Sequence, residues 1–285
     1  MKKIFYIISG VMAAIIIGGL VFFSQREFGN ETDLKIHFFD AGKADAILIS
    51  RNSEEGNYNV LIDTGEEELG ETILEYFKKK GIEKLDYLII THFDKDHVGS
   101  AAEIIRNVQI GKVLQTNTTK ESRYYEEYLK AVNEVGLVPV TVADEENSYE
   151  FLLGSLSFVV QGPEGVYEEK ESNNSSLITA LKFNETKYLF MGDAEDERLE
   201  DFFETELATE TYDVLKVPYH GHYQENLEAL IRTLNPKYAV ITSSFEEMED
   251  SETRALLEEA EAKTFLTRQG AIDITSDGTT IEIRQ

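Results

Sequence analysis

Apolar and polar positions alternate where the folded part of this chain begins. Leu34, Ile36 and Phe38 are separated by Lys35 and His37, the period of two that marks a half-buried strand. The apolar runs Ala46–Ile49 and Val60–Ile62 predict two more strands, with Gly42 in the first connection. From Thr72 to Lys80 the period becomes helical, with Ile73, Tyr76 and Phe77 on one side and Gly81 placed to end the element. Tyr87–Ile90 predicts a buried strand. After it come a helix through Ile104 and Ile105, a strand at Val113 and Leu114, and a helix carrying Tyr124, Tyr125 and Tyr128 on one amphipathic face.

The second half repeats this theme. Phe151–Val160 predicts a hairpin turning at Gly154 and Ser155, Leu177–Phe183 with Tyr188–Met191 a second hairpin, and Glu195–Phe203 a helix. Val214–Val217 and Tyr238–Ile241 are strands on either side of a helix from Asn226 to Leu234, ended by Asn235-Pro236. A last hairpin pairs Ile272 and Ile274 with Ile281 and Ile283 across Asp277-Gly278. Hairpins in each half, each followed by strand and helix alternation, predict an α/β domain of two sheets covered by helices on their outer sides. No repeat or low-complexity segment interrupts residues 34–285, which read as one domain.

Ahead of it, Met1-Lys2-Lys3 precedes an uncharged, mostly apolar run from Ile4 to Phe23, long enough as a helix to span a bilayer core. A cleaved signal peptide is the alternative. An uncleaved anchor over residues 1–26 is the better reading, because Phe22-Phe23-Ser24-Gln25-Arg26 lacks a small-x-small cleavage site. Lysines before the span, and Arg26 offset by Glu27 after it, place the amino terminus in the cytoplasm and the domain outside it. Residues 27–33 form a polar linker.

Composition narrows the chemistry. The chain has no cysteine, which excludes disulfides, thiolate metal sites and a cysteine nucleophile. Its formal charge of −27 is spread over many short acidic runs and reads as a solvated surface. Non-specific grip on long nucleic acid needs a basic face, so any nucleic-acid substrate would be held locally. No sequence feature identifies a protein partner.

The stretch Thr91-His92-Phe93-Asp94-Lys95-Asp96-His97 puts four candidate metal ligands, His92, Asp94, Asp96 and His97, just past the strand at Tyr87–Ile90. Open sheets flanked by helices bind ligands at such strand ends. Imidazole and carboxylate together suit Zn²⁺ or Mn²⁺. Two later stretches repeat the placement: Gly192-Asp193 follows the strand ending at Met191, and Tyr219-His220-Gly221-His222 follows the strand ending at Val217.

With these motifs in order, the chain resembles the metallo-β-lactamase superfamily, and within it the branch typified by the hydrolase domain of ComEC-type DNA-uptake proteins. The superfamily's His-x-His-x-Asp-His stands here as His92-x-Asp94-x-Asp96-His97, with Asp in the second place as in that branch. Phe39-Asp40-Ala41-Gly42-Lys43-Ala44-Asp45-Ala46 is similar to the branch's Asp-Val-Gly-Gln-Gly-Asp-Ala, and Ile62-Asp63-Thr64-Gly65 to its Asp-Thr-Gly. Asn174-Ser175-Ser176-Leu177 ahead of Gly192-Asp193, and Leu215-Lys216-Val217-Pro218-Tyr219-His220-Gly221, are similar to later motifs. Gly270-Ala271-Ile272 with Asp277-Gly278 resembles the branch's end. Lys43 replaces Gln, Ala44 replaces Gly, Tyr219 replaces the first His of His-His-Gly, and His222 stands where Ser is common. No histidine occurs from Val98 to Gly192, so the superfamily's third imidazole on the first metal is missing.

The resemblance implies a four-layer αββα sandwich with one or two divalent metal ions, Zn or Mn. His92 and Asp94 would hold one ion, Asp96, His97 and His220 the other, with Asp193 bridging and Asp63 orienting ligands by hydrogen bonds. Three carboxylates and a hydroxide would balance two divalent cations, keeping a nucleophile near neutral pH beside a Lewis acid. For a phosphodiester substrate (DNA, a nucleotide or an envelope component) the leaving oxygen needs a proton or a positive charge. His222, Tyr219 and Lys43 are the candidate donors, and Asp96 joins His222 and Lys43 as a candidate catalytic residue. His37 lies opposite the apolar face of the first strand and receives no role. The expected function is a membrane-anchored, extracytoplasmic metal-dependent hydrolase, a phosphodiesterase or nuclease. The alternative is a catalytically weak metal-binding scaffold or interaction protein of the same fold.

Overall fold

The alternation read in the sequence becomes three apolar layers. In the computed structural model, which describes residues 29–30, 32–143, 148–165, 167 and 171–285, the strands run in this order. First come β1 (Leu34–Phe38), β2 (Ile47–Ser53), β3 (Gly56–Ile62), β4 (Lys84–Ile90), β5 (Gln109–Gln115) and β6 (Val140–Thr141). Next are β7 (Ser148–Leu153), β8 (Leu156–Gln161), β9 (Ile178–Phe183), β10 (Thr186–Phe190), β11 (Val214–Lys216), β12 (Tyr238–Ile241) and β13 (Lys263–Leu266). The last two are β14 (Ile272–Ser276) and β15 (Ile281–Arg284). Among the described residues they form an eight-stranded sheet, ordered β15-β14-β1-β2-β3-β4-β5-β6, and a seven-stranded sheet, ordered β13-β12-β11-β10-β9-β8-β7.

Successive side chains on a strand face opposite ways, so each sheet serves two layers. On β2, Ile47 and Ile49 point between the sheets, where Val60, Ile62, Phe158, Leu181 and Phe190 meet them. Leu48 points outward to join Leu61, Leu88 and Ile90 beneath Ile73 and Phe77 of helix α1 (Gly70–Lys80). The same outer layer takes Val98 of α2 (Lys95–Val98), Ile104 and Ile105 of α3 (Ala101–Asn107), and Tyr128 of α4 (Arg123–Glu134). Beyond a short helix α5 (Glu171–Asn174), the second sheet is covered by α6 (Asp196–Phe203), α7 (Leu227–Leu234) and α8 (Ser251–Glu259). Leu199, Phe202, Leu230, Ile231 and Leu257 there pack on Leu189, Leu215 and Ile241. Burying each such aliphatic side chain contributes about 1.5–3 kcal/mol, which is what holds four layers together without a disulfide. This is the expected αββα sandwich.

Boundaries follow local chemistry. Gly81 ends α1 in the left-handed conformation, φ 70°, and its N–H reaches the carbonyl of Phe77. Tyr128 is fully buried and its hydroxyl donates to Gln115 Oε1 at 2.6 Å, so the tyrosine face of α4 is core. His37 stacks on Tyr76, with ring centroids 4.4 Å apart, and pairs with Asp273 at 2.7 Å, a structural role. Five of these elements had no sequence expectation: the short α2, α5 and β6, and the longer α8 and β13. The anchor expected over residues 1–26 lies outside the described residues. Among the described residues no helix is long and apolar enough to cross a membrane.

Candidate metal centre

Both sheets contain a run of parallel strands, β3 to β6 in the first and β10 to β13 in the second. The chemistry gathers where these strands end. Asp63 follows β3, Thr91 to His97 follow β4, Asp193 follows β10, His220 follows β11 and Thr242 follows β12. Three of the loop positions are non-glycine residues in the left-handed region: Asp63 at φ 54°, Tyr219 at 47° and His220 at 51°. Each such position costs on the order of 1–3 kcal/mol and persists because its surroundings over-determine it.

Four groups converge. Ligand atoms of Asp96, His97, Asp193 and His220 all lie within 4.8 Å of one another. Asp193 Oδ2 is 3.0 Å from His220 Nε2 and 3.3 Å from His97 Nε2, and Asp96 Oδ2 is 3.6 Å from His220 Nε2. The second ring nitrogen of each histidine is already committed. His97 Nδ1 lies 2.8 Å from Asp63 Oδ2, and His220 Nδ1 lies 2.9 Å from the Thr242 carbonyl. Asp63 also accepts from Thr91 N at 2.8 Å and Thr91 Oγ1 at 2.6 Å. Thr242 Oγ1 in turn donates to Asp45 Oδ1 at 2.6 Å. With Nδ1 donating outward, Nε2 presents its lone pair inward, the tautomer that a metal ion requires.

His92 stands beside this group, its ring centroid 4.0 Å from that of His97 and its Nδ1 3.1 Å from Thr91 Oγ1 and 3.3 Å from Ser176 Oγ. The Nε2 atoms of His92, His97 and His220, and Oδ1 of Asp193, are buried without a hydrogen-bond partner. Such orphaned buried polar atoms would each cost about 1–3 kcal/mol if left so. A divalent cation held by Asp96, His97, Asp193 and His220 satisfies Nε2 of His97 and of His220, and mixed imidazole and carboxylate donors are the set it takes. The residues present therefore fit one.

Burial opposes the charged form of His97 and of His220, but Asp193, with Asp63 for His97, outweighs it and raises both imidazoles above the usual histidine value, so an ion binding there displaces a proton from each. Burial pushes Asp193 up, but His220 and His97 outweigh it and hold its carboxyl well below the usual range. Burial likewise opposes Asp96, and the nearby imidazoles of His220 and His97 bring it below the usual range too. Burial, helped by His97, pushes His92 down to about 4, so its imidazole is neutral and able to ligate.

The remaining expected residues lie around this core. Asp94 lies outside the four-residue cluster, its carboxylate taken by Lys120 Nζ at 2.6 Å and Ser172 Oγ. Lys43 Nζ is 3.4 Å from Asp96 Oδ2 and lies over the Tyr219 ring, 5.9 Å from its centroid. His222 is partly exposed, with Nδ1 3.6 Å from Asp250 Oδ2 and its ring 4.9 Å from that of Tyr219. Neither His222 nor Tyr219 belongs to the buried cluster.

Several site residues had no expected role. Lys216 is fully buried, with Nζ 2.5 Å from Asp45 Oδ2, 2.9 Å from the Gly192 carbonyl and 3.6 Å from Asp193 Oδ1. Asp45, Lys216 and Ser176 all lie inside motifs that carried the family resemblance, which was their available signal. Thr242 and Lys120 had none. Lys43, Lys120 and Lys216 each stand on one of the three expected carboxylates, Asp96, Asp94 and Asp193.

Comparison with known proteins supports the same identification. The family model described as Metallo-beta-lactamase superfamily matches residues 40–243. ComE operon protein 3 of Bacillus subtilis is 28% identical over 225 residues, 73% of this chain and 28% of that protein. Recombination protein 2 of Haemophilus influenzae is 26% identical over 214 residues, 73% of this chain and 24% of that protein. The match thus spans about a quarter of each relative's length. Among solved structures, the diiron β-hydroxylase CmlA of Streptomyces venezuelae shares the fold, with a TM-score of 0.51 at 15% identity over 88% of this chain and 55% of that one. The chain belongs to the metallo-β-lactamase superfamily, in its ComEC-like branch.

Proposed function

We propose that this chain is a membrane-anchored, metal-dependent phosphodiesterase of nuclease type whose domain lies outside the cytoplasm. The observation that carries the activity is the set of inward-facing, unpartnered Nε2 atoms of His92, His97 and His220 around Asp193. A divalent ion bound there would supply a Lewis acid and lower the pKa of a bound water. Asp96, His97, Asp193 and His220 would hold it, with Asp63 and Thr242 aiming the two imidazoles.

Around that centre the chain's own groups suit a phosphodiester. Lys43, beside Asp96, would neutralise charge that builds on the phosphoryl oxygens. His222 and Tyr219, ring against ring, would donate a proton to the leaving oxygen. The name of one relative places it in recombination, which favours DNA among phosphodiesters. The charge of −27 argues that substrate is gripped at the site and not along an extended face. The span Ile4–Phe23, with Lys2 and Lys3 before it, supports the anchor and its orientation.

Hydrolysis of bis-p-nitrophenyl phosphate by the full chain, with added Mn²⁺ or Zn²⁺, tests the reading. Metal-dependent turnover supports it. Absence of turnover with metal bound would leave a metal-binding scaffold.

A further inference from the structure

The acidic residues at this rim are already partly matched by lysines. Asp45, Asp63, Asp94, Asp96 and Asp193 carry five formal negative charges, and Lys43, Lys120 and Lys216 carry three positive ones on four of them. Two negative charges remain, the charge that one divalent cation balances. A second, at the partly exposed Asp94, would add two further positive charges to a rim whose carboxylates the lysines already match.

The positions of the lysines sharpen this. A second ion would draw on His92 Nε2, Asp94 and the free oxygen of Asp193, the ligands left over by the four-residue cluster. Both of those carboxylates have an ammonium beside them. Lys120 Nζ donates to Asp94 Oδ1 at 2.6 Å, and Lys216 Nζ lies 3.6 Å from Asp193 Oδ1. Lys120 is also held in place. Its Nζ donates to Ser172 Oγ at 3.2 Å, and its own loop is tied to the same segment where Thr116 Oγ1 donates to the Ser175 carbonyl at 2.6 Å. Thr118 Oγ1 and Ser175 Oγ meet at 2.9 Å, and Ser175 Oγ donates to the Ser172 carbonyl at 2.6 Å. A lysine fixed on a framework of this kind is a built counter-charge and not a wandering surface group.

We propose that this chain holds a single divalent cation, at Asp96, His97, Asp193 and His220, and that Lys120 replaces a second one by occupying Asp94. The proposal rests on the metal-dependent reading above. Lys120 is a positioning residue in it: it fixes the ion count without touching the reacting atoms.

Metal per chain, measured by mass spectrometry on full-length protein saturated with Mn²⁺ and then desalted, tests both. The wild type is expected to retain one ion. Lys120→Met and Lys120→Gln, which remove the charge, are expected to retain two, and Lys120→Arg one. The two-ion variants should also show the spin-coupled Mn²⁺ resonance that one ion cannot give. Two ions in the wild type, or one in both neutral variants, would overturn the proposal while leaving the metal-dependent reading intact. No bound ion in the wild type would overturn both. The wild-type count alone is decisive even where a variant does not fold.

Discussion

His97 Nδ1 lies 2.8 Å from Asp63 Oδ2 at the centre of the fold, a carboxylate and an imidazole both fully buried. The contact makes Nδ1 the donor and turns Nε2 toward Asp193, at 3.3 Å. Removing the carboxylate frees the ring to rotate and to change tautomer. Asp63→Ala is therefore expected to weaken divalent metal affinity about 10–100-fold. Competition against a fluorescent chelator reads this, and an unchanged affinity would remove the orienting role.

Close backbone approach at Gly99 locks the ligand loop against the turn after β3. A Cβ there would sit 2.3 Å from the Lys95 carbonyl oxygen, 2.7 Å from Glu66 Cα and 2.7 Å from the Gly65 carbonyl oxygen. None of these backbone atoms can yield cheaply. Gly99→Ala is expected to cost about 1–3 kcal/mol in a denaturant titration, the range for overpacking.

Acid sensitivity should trace in part to Glu249. Burial pushes its carboxyl up, but hydrogen bonds from Arg268 and Ser243 outweigh this and hold it below the usual carboxylate range. Arg268 donates twice, at 3.1 Å and 3.0 Å. A depressed carboxylate contributes stability that is present above its unfolded pKa, about 4.3, and is lost as pH falls through the lower folded value. Glu249→Gln should lower stability at pH 7 by about 1.5–3 kcal/mol and make the loss below about pH 4.3 shallower than in the wild type. Parallel acid limbs in the two proteins would contradict the assignment.

Lys43 and His222 border the cluster without belonging to it, so their loss should spare the metal. Lys43→Ala is expected to lower kcat for phosphodiester hydrolysis about 100-fold, the scale of one lost charge-stabilising donor. His222→Ala should lower it by about 100-fold or more, the lower end for general acid catalysis. Metal content should match the wild type in both. Unaltered kcat would make either residue a bystander.

Much of this was legible because strand ends and ligands coincide in the sequence. Asp193 and His220 each follow a short, mostly apolar run that reads as a strand, and the run before His92 ends at the same rim. Helix α8 was not legible, since only Thr253 and Leu257 of its nine residues are buried, too few to set a period. Strand β13 is four residues long on a sheet edge, and β6 is two. Lys216 reads as one polar letter in a strand, and nothing local announces that it is fully buried on Asp45. The pair Lys120 and Asp94 is joined across 26 residues by folding alone, so no spacing rule could find it.

The central claim is that His97, His220, Asp96 and Asp193 bind a divalent ion together. X-ray absorption at the zinc edge, on full-length protein carrying one equivalent of Zn²⁺, tests it most directly. The account predicts at least two imidazole nitrogens at about 2.0–2.1 Å and carboxylate oxygen at about 2.0–2.2 Å. A shell of oxygen alone, with no imidazole scattering, would contradict it.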